Sequence, residues 1–102
     1  MNDDNPDLLR AKINGETSRM AWKELERFFA AGSVIAVDAA LDLVEVAQRI
    51  ASDDKRAVAQ WMETGQVGRV SDAQAMAWHD ADAELWAVVV KPWILVQDKP
   101  RS

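Results

Sequence analysis

The sequence contains no cysteine and a single histidine, His79, in 102 residues. A disulfide framework, a thiol nucleophile and a thiolate zinc site are therefore excluded, and so are the usual multi-histidine metal sites. No apolar run is longer than residues 85–90, far short of the ~20 residues needed to span a bilayer. The opening Met-Asn-Asp-Asp-Asn is acidic, where a secretory signal needs basic residues and an apolar stretch. These features predict a cytoplasmic protein that does not engage membranes. Basic charge is also short. Twelve Lys and Arg stand against seventeen Asp and Glu, a net charge of -5, so the mean field repels polyanions and nucleic acid is not an expected partner. No Gly-rich phosphate loop of the form G-x-x-x-x-G-K occurs.

What is present is the composition of one ordinary globular domain, 49% hydrophobic and 28% charged. A chain of this length buries a little over ~60% of its unfolded surface, enough for one core. Asn5, Pro6 and Asp7 supply an N-cap, a pre-set first helical residue and a helix-start carboxylate, which predicts a short helix over 6–13 stopped by Asn14-Gly15. Thr17 or Ser18 is placed to cap a second helix, with Trp22, Leu25, Phe28 and Phe29 on one stripe and Gly32 ending it. Residues 33–37 form a short strand.

Asp38 then stands where the chain turns into a third helix reaching residue 51, whose core stripe is Leu43, Val46, Ala47 and Ile50. Ser52-Asp53-Asp54 caps a fourth helix with Val58, Trp61 and Met62 on its apolar face and Gly65 at its end. Residues 67–70 allow a further strand, and Ser71 with Gln74 matches a capping box opening a helix to about residue 82. The C-terminal part has a strand pair at 85–90 and 93–97, the first with bulky residues in both alternating registers, as a strand covered on both faces requires. Lys91-Pro92 interrupts the pair as a hairpin turn or a bend. Residues 28–38 and 61–71 share Gly32/Gly65, Val34/Val67 and Val37/Val70, which reads as common punctuation and not as a repeat array.

Five stretches, Trp22-Lys23-Glu24-Leu25 together with residues 34–38, 41–47, 70–75 and above all 85–97 with its Trp-x-Val-Val-Val-x-Pro-Trp-x-Leu-Val-Gln, resemble a small bacterial family known only as a domain of unknown function. The resemblance spans nearly the whole chain outside its tails and implies a single free-standing bacterial domain. It brings no activity, ligand or catalytic residue.

Asp38, Asp42 and Glu45 are the sharpest candidates for chemistry, since acids at a strand end and in the following turns can converge on Mg²⁺ or Ca²⁺. Each also has an ordinary role: Asp38 as an N-cap, Asp42 near a positive helix end, and Glu45 paired with Arg49 four residues on. Arg19, Lys23 and Arg27 repeat every four residues along the predicted second helix, where pairs of Glu26 with Lys23 and of Arg27 with Glu24 make a solvated face. His79 beside Asp80 and near Asp82 reads as a structural histidine. A winged-helix order over 53–64, 72–82 and the hairpin is opposed by the lack of any Lys or Arg between Arg69 and Lys91.

The expected fold is α+β, about five helices with a small sheet of three or four short strands, in one domain over 1–102 with frayed ends at 1–4 and 98–102. The C-terminal strands are expected to be central or to pair edge to edge with a second copy. No cofactor, catalytic residue or metal ligand set is assigned. The expected function is self-association or binding of a protein partner, with Trp86, Trp93 and Leu95 near the contact, because Trp is enriched at interface centres. The rival is a small metal-dependent enzyme or ligand-binding domain built on Asp38, Asp42 and Glu45.

Overall fold

A computed structural model describes residues 6–98. In chain order the elements are α1 (Pro6–Glu16), β1 (Ser18–Ala21), α2 (Trp22–Ala30), β2 (Val34–Val37), α3 (Leu43–Ala51), α4 (Lys55–Glu63), β3 (Val67–Arg69), α5 (Asp72–Asp80), β4 (Glu84–Val90) and β5 (Trp93–Gln97). The α+β class is as the sequence indicates. The expected cap at Asn5 and the expected frayed ends at 1–4 and 99–102 lie outside the described residues. Asp98, expected to fray with them, instead accepts a hydrogen bond from Trp78 Nε1 at 3.3 Å.

The strands form one mixed sheet in the order β1-β4-β5-β2-β3, with β2 parallel to β5 and every other neighbour antiparallel. The C-terminal pair is thus interior, and the two edges are β1 and β3. Side chains alternate strictly between faces. Leu85, Ala87, Ile94, Val96 and Val34 join a core with Trp22 and Leu25 of α2 and Ala75 and Trp78 of α5. Val88, Leu95, Val37 and Val67 join a second core with Ile13 of α1 and Leu43, Val46 and Ala47 of α3. The apolar alternation in β4 and β5 therefore specifies three layers, helices on both sides of the sheet.

The fifth strand, β1, replaces the expected helix start. Ser18–Ala21 pairs antiparallel with β4, from Ser18 opposite Ala87 to Ala21 opposite Glu84. Its sequence, Ser-Arg-Met-Ala, has no β-branched residue, so local propensity is silent and pairing with the long β4 decides the matter. Thr17 does not cap α2; its Oγ1 donates to Ile13 O at 2.7 Å and closes α1, which runs through Asn14-Gly15. Trp22 opens α2 directly from the strand, its N–H donating to Ala83 O at 2.8 Å. Two further boundaries move. Asp38 does not cap α3, because its carboxylate accepts from Ala40 N in a local turn and Asp42 takes the cap by accepting from Val44 N. Helix α5 opens with the expected Ser71–Gln74 capping box and stops at Asp80.

Helices α2 to α5 all end by one device, in which the second and first residues past the cap donate back to the third-last and second-last helical turn positions. The left-handed residue is Gly32, Asp53, Gly65 and Asp82 in turn. The echo between Gly32 and Gly65 is this shared punctuation. Space around Gly65 is open, so only its φ of +80° opposes a side chain there. Gly65→Ala is expected to lower stability by about 1 kcal/mol through backbone strain, and Asp82→Gly to shift it the other way, both read from urea midpoints.

Gln97 is the one buried polar residue among those described, 3% exposed at the end of β5. Its Nε2 donates to Asp38 O at 3.0 Å and Leu41 O at 2.7 Å, clamping the 38–42 loop onto the sheet. Gln97→Leu strips both carbonyls of a buried donor and is expected to cost about 2 kcal/mol in equilibrium unfolding. An unchanged midpoint would show that the loop is held by other means.

Candidate functional site

The acids singled out from sequence are each engaged separately. Asp42 sits at the start of α3, where Oδ1 accepts from Val44 N at 3.0 Å and Oδ2 accepts from Arg10 Nη2 of α1 at 2.8 Å. Glu45 lies 3.7 Å from Arg49, and Asp38 serves its turn. Among the described residues no group of three His, Asp or Glu side chains is arranged to hold a metal ion. His79 belongs to the opposite helical layer, with Nδ1 2.7 Å from Glu26 Oε2 across the α2–α5 contact. The structure thus does not bring His79 to Asp38, Asp42 and Glu45.

The expected basic stripe is divided as well, because Arg19 lies on β1. Its guanidinium lies 5.1 Å over the Trp86 ring, with Nε 3.3 Å from Glu84. Lys23 pairs with Asp82 at 3.4 Å, not with Glu26, and Arg27 lies over Phe28 at 4.7 Å, not against Glu24. The hairpin that would serve as a wing is the centre of the sheet.

The tryptophans separate by layer. Trp22 and Trp78 are buried and meet edge to face at 5.1 Å, with Phe29 5.6 Å from Trp22. Trp61, Trp86 and Trp93 are half-buried on the other face. Leu95 has no exposed surface, so of the three residues expected near a contact it can only back the surface that Trp93 presents.

Trp93 forms one wall of a groove of about 400 Å³ between α4, the end of α3 and the sheet. The remaining apolar lining comes from Ile35, Ile50, Val58, Ala59, Met62 and Val67. The cause is local. Helix α4 carries an apolar stripe yet has no buried residue, and Met62 on it is 57% exposed. At the mouth stand Lys55 and Arg69 together with Asp53 and Asp54. Asp54 is already committed, capping α4 at Ala57 N and accepting from Arg49 Nη1 at 3.0 Å. The sequence singles out Trp93 but places Val58 and Met62 only on the apolar face of the fourth helix, since a helical stripe does not reveal how closely it packs. A larger hollow of about 640 Å³ lies on the opposite face, floored by Met20, Phe28 and Val89 and bordered by Glu16, Lys23, Glu24 and Arg27. Polar groups make up a larger share of its surface, so the Trp93 groove is the stronger candidate for an apolar occupant.

The family model described as Protein of unknown function (DUF2288) matches residues 8–98. A search of curated proteins gives no match. Among solved structures, the chain is similar to the NMR solution structure of PA1075 from Pseudomonas aeruginosa, at 44% identity and a TM-score of 0.81, covering 99% of this chain and 93% of that one.

The Arg10–Asp42 ion pair at the α1–α3 junction generates a prediction of its own. Partial burial pushes the Asp42 carboxyl upward, but hydrogen bonds from Arg10, Val44 N and Glu45 N and the Arg10 charge outweigh it and hold the pKa below its ordinary value. A lowered native pKa means that this stability is complete above about pH 4 and is lost as pH falls through the native value. Asp42→Asn keeps a good cap, so the expected loss at neutral pH is under about 1 kcal/mol. Acid titration of the folded fraction should show a shallower fall for the variant than for the parent.

Proposed function

This chain belongs to the DUF2288 family of proteins of unknown function, and from that premise we propose that it is a protein-interaction module whose docking surface is the groove walled by Trp93. The observation that carries the reading is a half-buried indole beside an apolar cleft that α4 leaves unfilled. Interfaces concentrate their energy in such places, where one aromatic and a few aliphatic side chains exclude water around an anchor. Leu95 supports the floor behind Trp93, and Trp86 stiffens the same face through its stack with Arg19. The partner is a protein or a second copy of the chain. Because β4 and β5 are interior, attachment is through the side chains of this patch and not by pairing along those strands. A bacterial and cytoplasmic setting belongs to the same proposal, supported by the bacterial origin of the solved relative. No helix of the described residues is long and apolar enough to cross a membrane.

Met62→Glu places a charge in the groove at an exposed position, and Met76→Glu on α5, 66% exposed in the other layer, is its control. In affinity capture from the cell that makes the protein, one partner retained by the parent and by Met76→Glu should fall at least about tenfold with Met62→Glu, the size of a single anchor's contribution. Equal retention by all three would defeat the reading. Sedimentation of the parent alone identifies the self-association case as a concentration-dependent dimer lost in Met62→Glu.

A further inference from the structure

Resting on the docking reading, we infer that the segment received by the Trp93 groove is an acidic amphipathic one, with apolar side chains in the cleft and carboxylates against Lys55 and Arg69. The argument is one of charge. In a chain of net charge -5, four basic side chains are already consumed internally: Arg10, Arg19, Lys23 and Arg49 each lie within 3.7 Å of a carboxylate. Lys55 and Arg69 both line the groove and have no ion-pair partner among the described residues. Two more exposed cations in the same state neighbour the lining in sequence, Arg56 beside Lys55 and Lys91 two residues before Trp93. Against these four cations stand two uncommitted acids by the same count, Asp53 in the lining and Glu63 beside Met62, because Asp54 is held by Arg49 and by the cap of α4.

The unpaired charge at this site is therefore positive on balance, in a molecule that is negative as a whole. Charge of that kind steers an acidic partner and rejects a basic one, while the cleft supplies the apolar contact. A helix laid into a groove, with its apolar residues at helical spacing and acids on its flanks, satisfies both demands.

The test uses two short acetylated peptide amides with the same leucines at helical spacing, one with glutamates between them and one with lysines. Titrated into the ¹⁵N-labelled full chain, the glutamate peptide is expected to shift the Trp93 indole N–H and the amides of Val58 and Met62. It should bind about tenfold more tightly than the lysine peptide at low salt, with the gap narrowing as salt is added. The Lys55→Glu, Arg69→Glu double variant, checked for an unchanged circular dichroism spectrum, should erase or reverse the preference. Equal binding of the two peptides at the groove overturns the acidic partner and leaves the docking site standing. Shifts by neither peptide, or displacement of the glutamate peptide by a second copy of the chain, overturn the inference also. The capture experiment with Met62→Glu assumes nothing about charge and decides the docking reading separately.

Discussion

Burial of β4 and β5 on both faces is the constraint from which the architecture follows. Val88 and Leu95 point to one side and Ala87, Ile94 and Val96 to the other, so neither face of the hairpin tolerates water and helices are required on both. The helices available are short. Nine residues make a helix of about 13 Å, whereas the seven residues of β4 extend about 23 Å. Cover is complete over the middle of the sheet and thins toward the hairpin tip. The Trp93 groove and the hollow at Val89 lie on opposite faces of the sheet, each reaching a residue near that tip.

Legibility of the fold followed the range of the interactions involved. The Ser71–Gln74 capping box and the glycines at 32 and 65 act within a few residues, and each lies where the sequence puts it. Residues whose partners are far along the chain were harder to place. Nothing in Ser-Arg-Met-Ala indicates a strand until β4 stands beside it, and Asp38 and Asp42 are equally good caps until Gln97 fixes the intervening loop. Asp53 reads as part of a helix start and Asp82 as the end of one, yet both occupy the left-handed turn residue that glycine more often fills.

The site was legible in one member only. Trp93 stands out because it follows a proline inside an apolar stretch, where a bulky ring is hard to bury. Its companions on α4 carry the ordinary stripe of a core-facing helix, and spacing alone does not say whether the layer beneath is filled. The acids lost their claim for the complementary reason: a capping duty and an ion partner, invisible as spacing, account for Asp42, and a nearby arginine accounts for Glu45.

The strand order carries a consequence for how the molecule is assembled. β1 and the β2–β3 pair precede residue 84 in the chain, and within the sheet they are joined only through β4 and β5, which follow them. A growing chain halted before residue 84 holds a single strand and a two-stranded pair with no sheet hydrogen bond between them. Completion waits on an insertion from the distal end, with its contacts distant in sequence, which is the condition for slow, all-or-none closure. A lesion in the β4–β5 pair therefore strikes the interior of the sheet and not its margin.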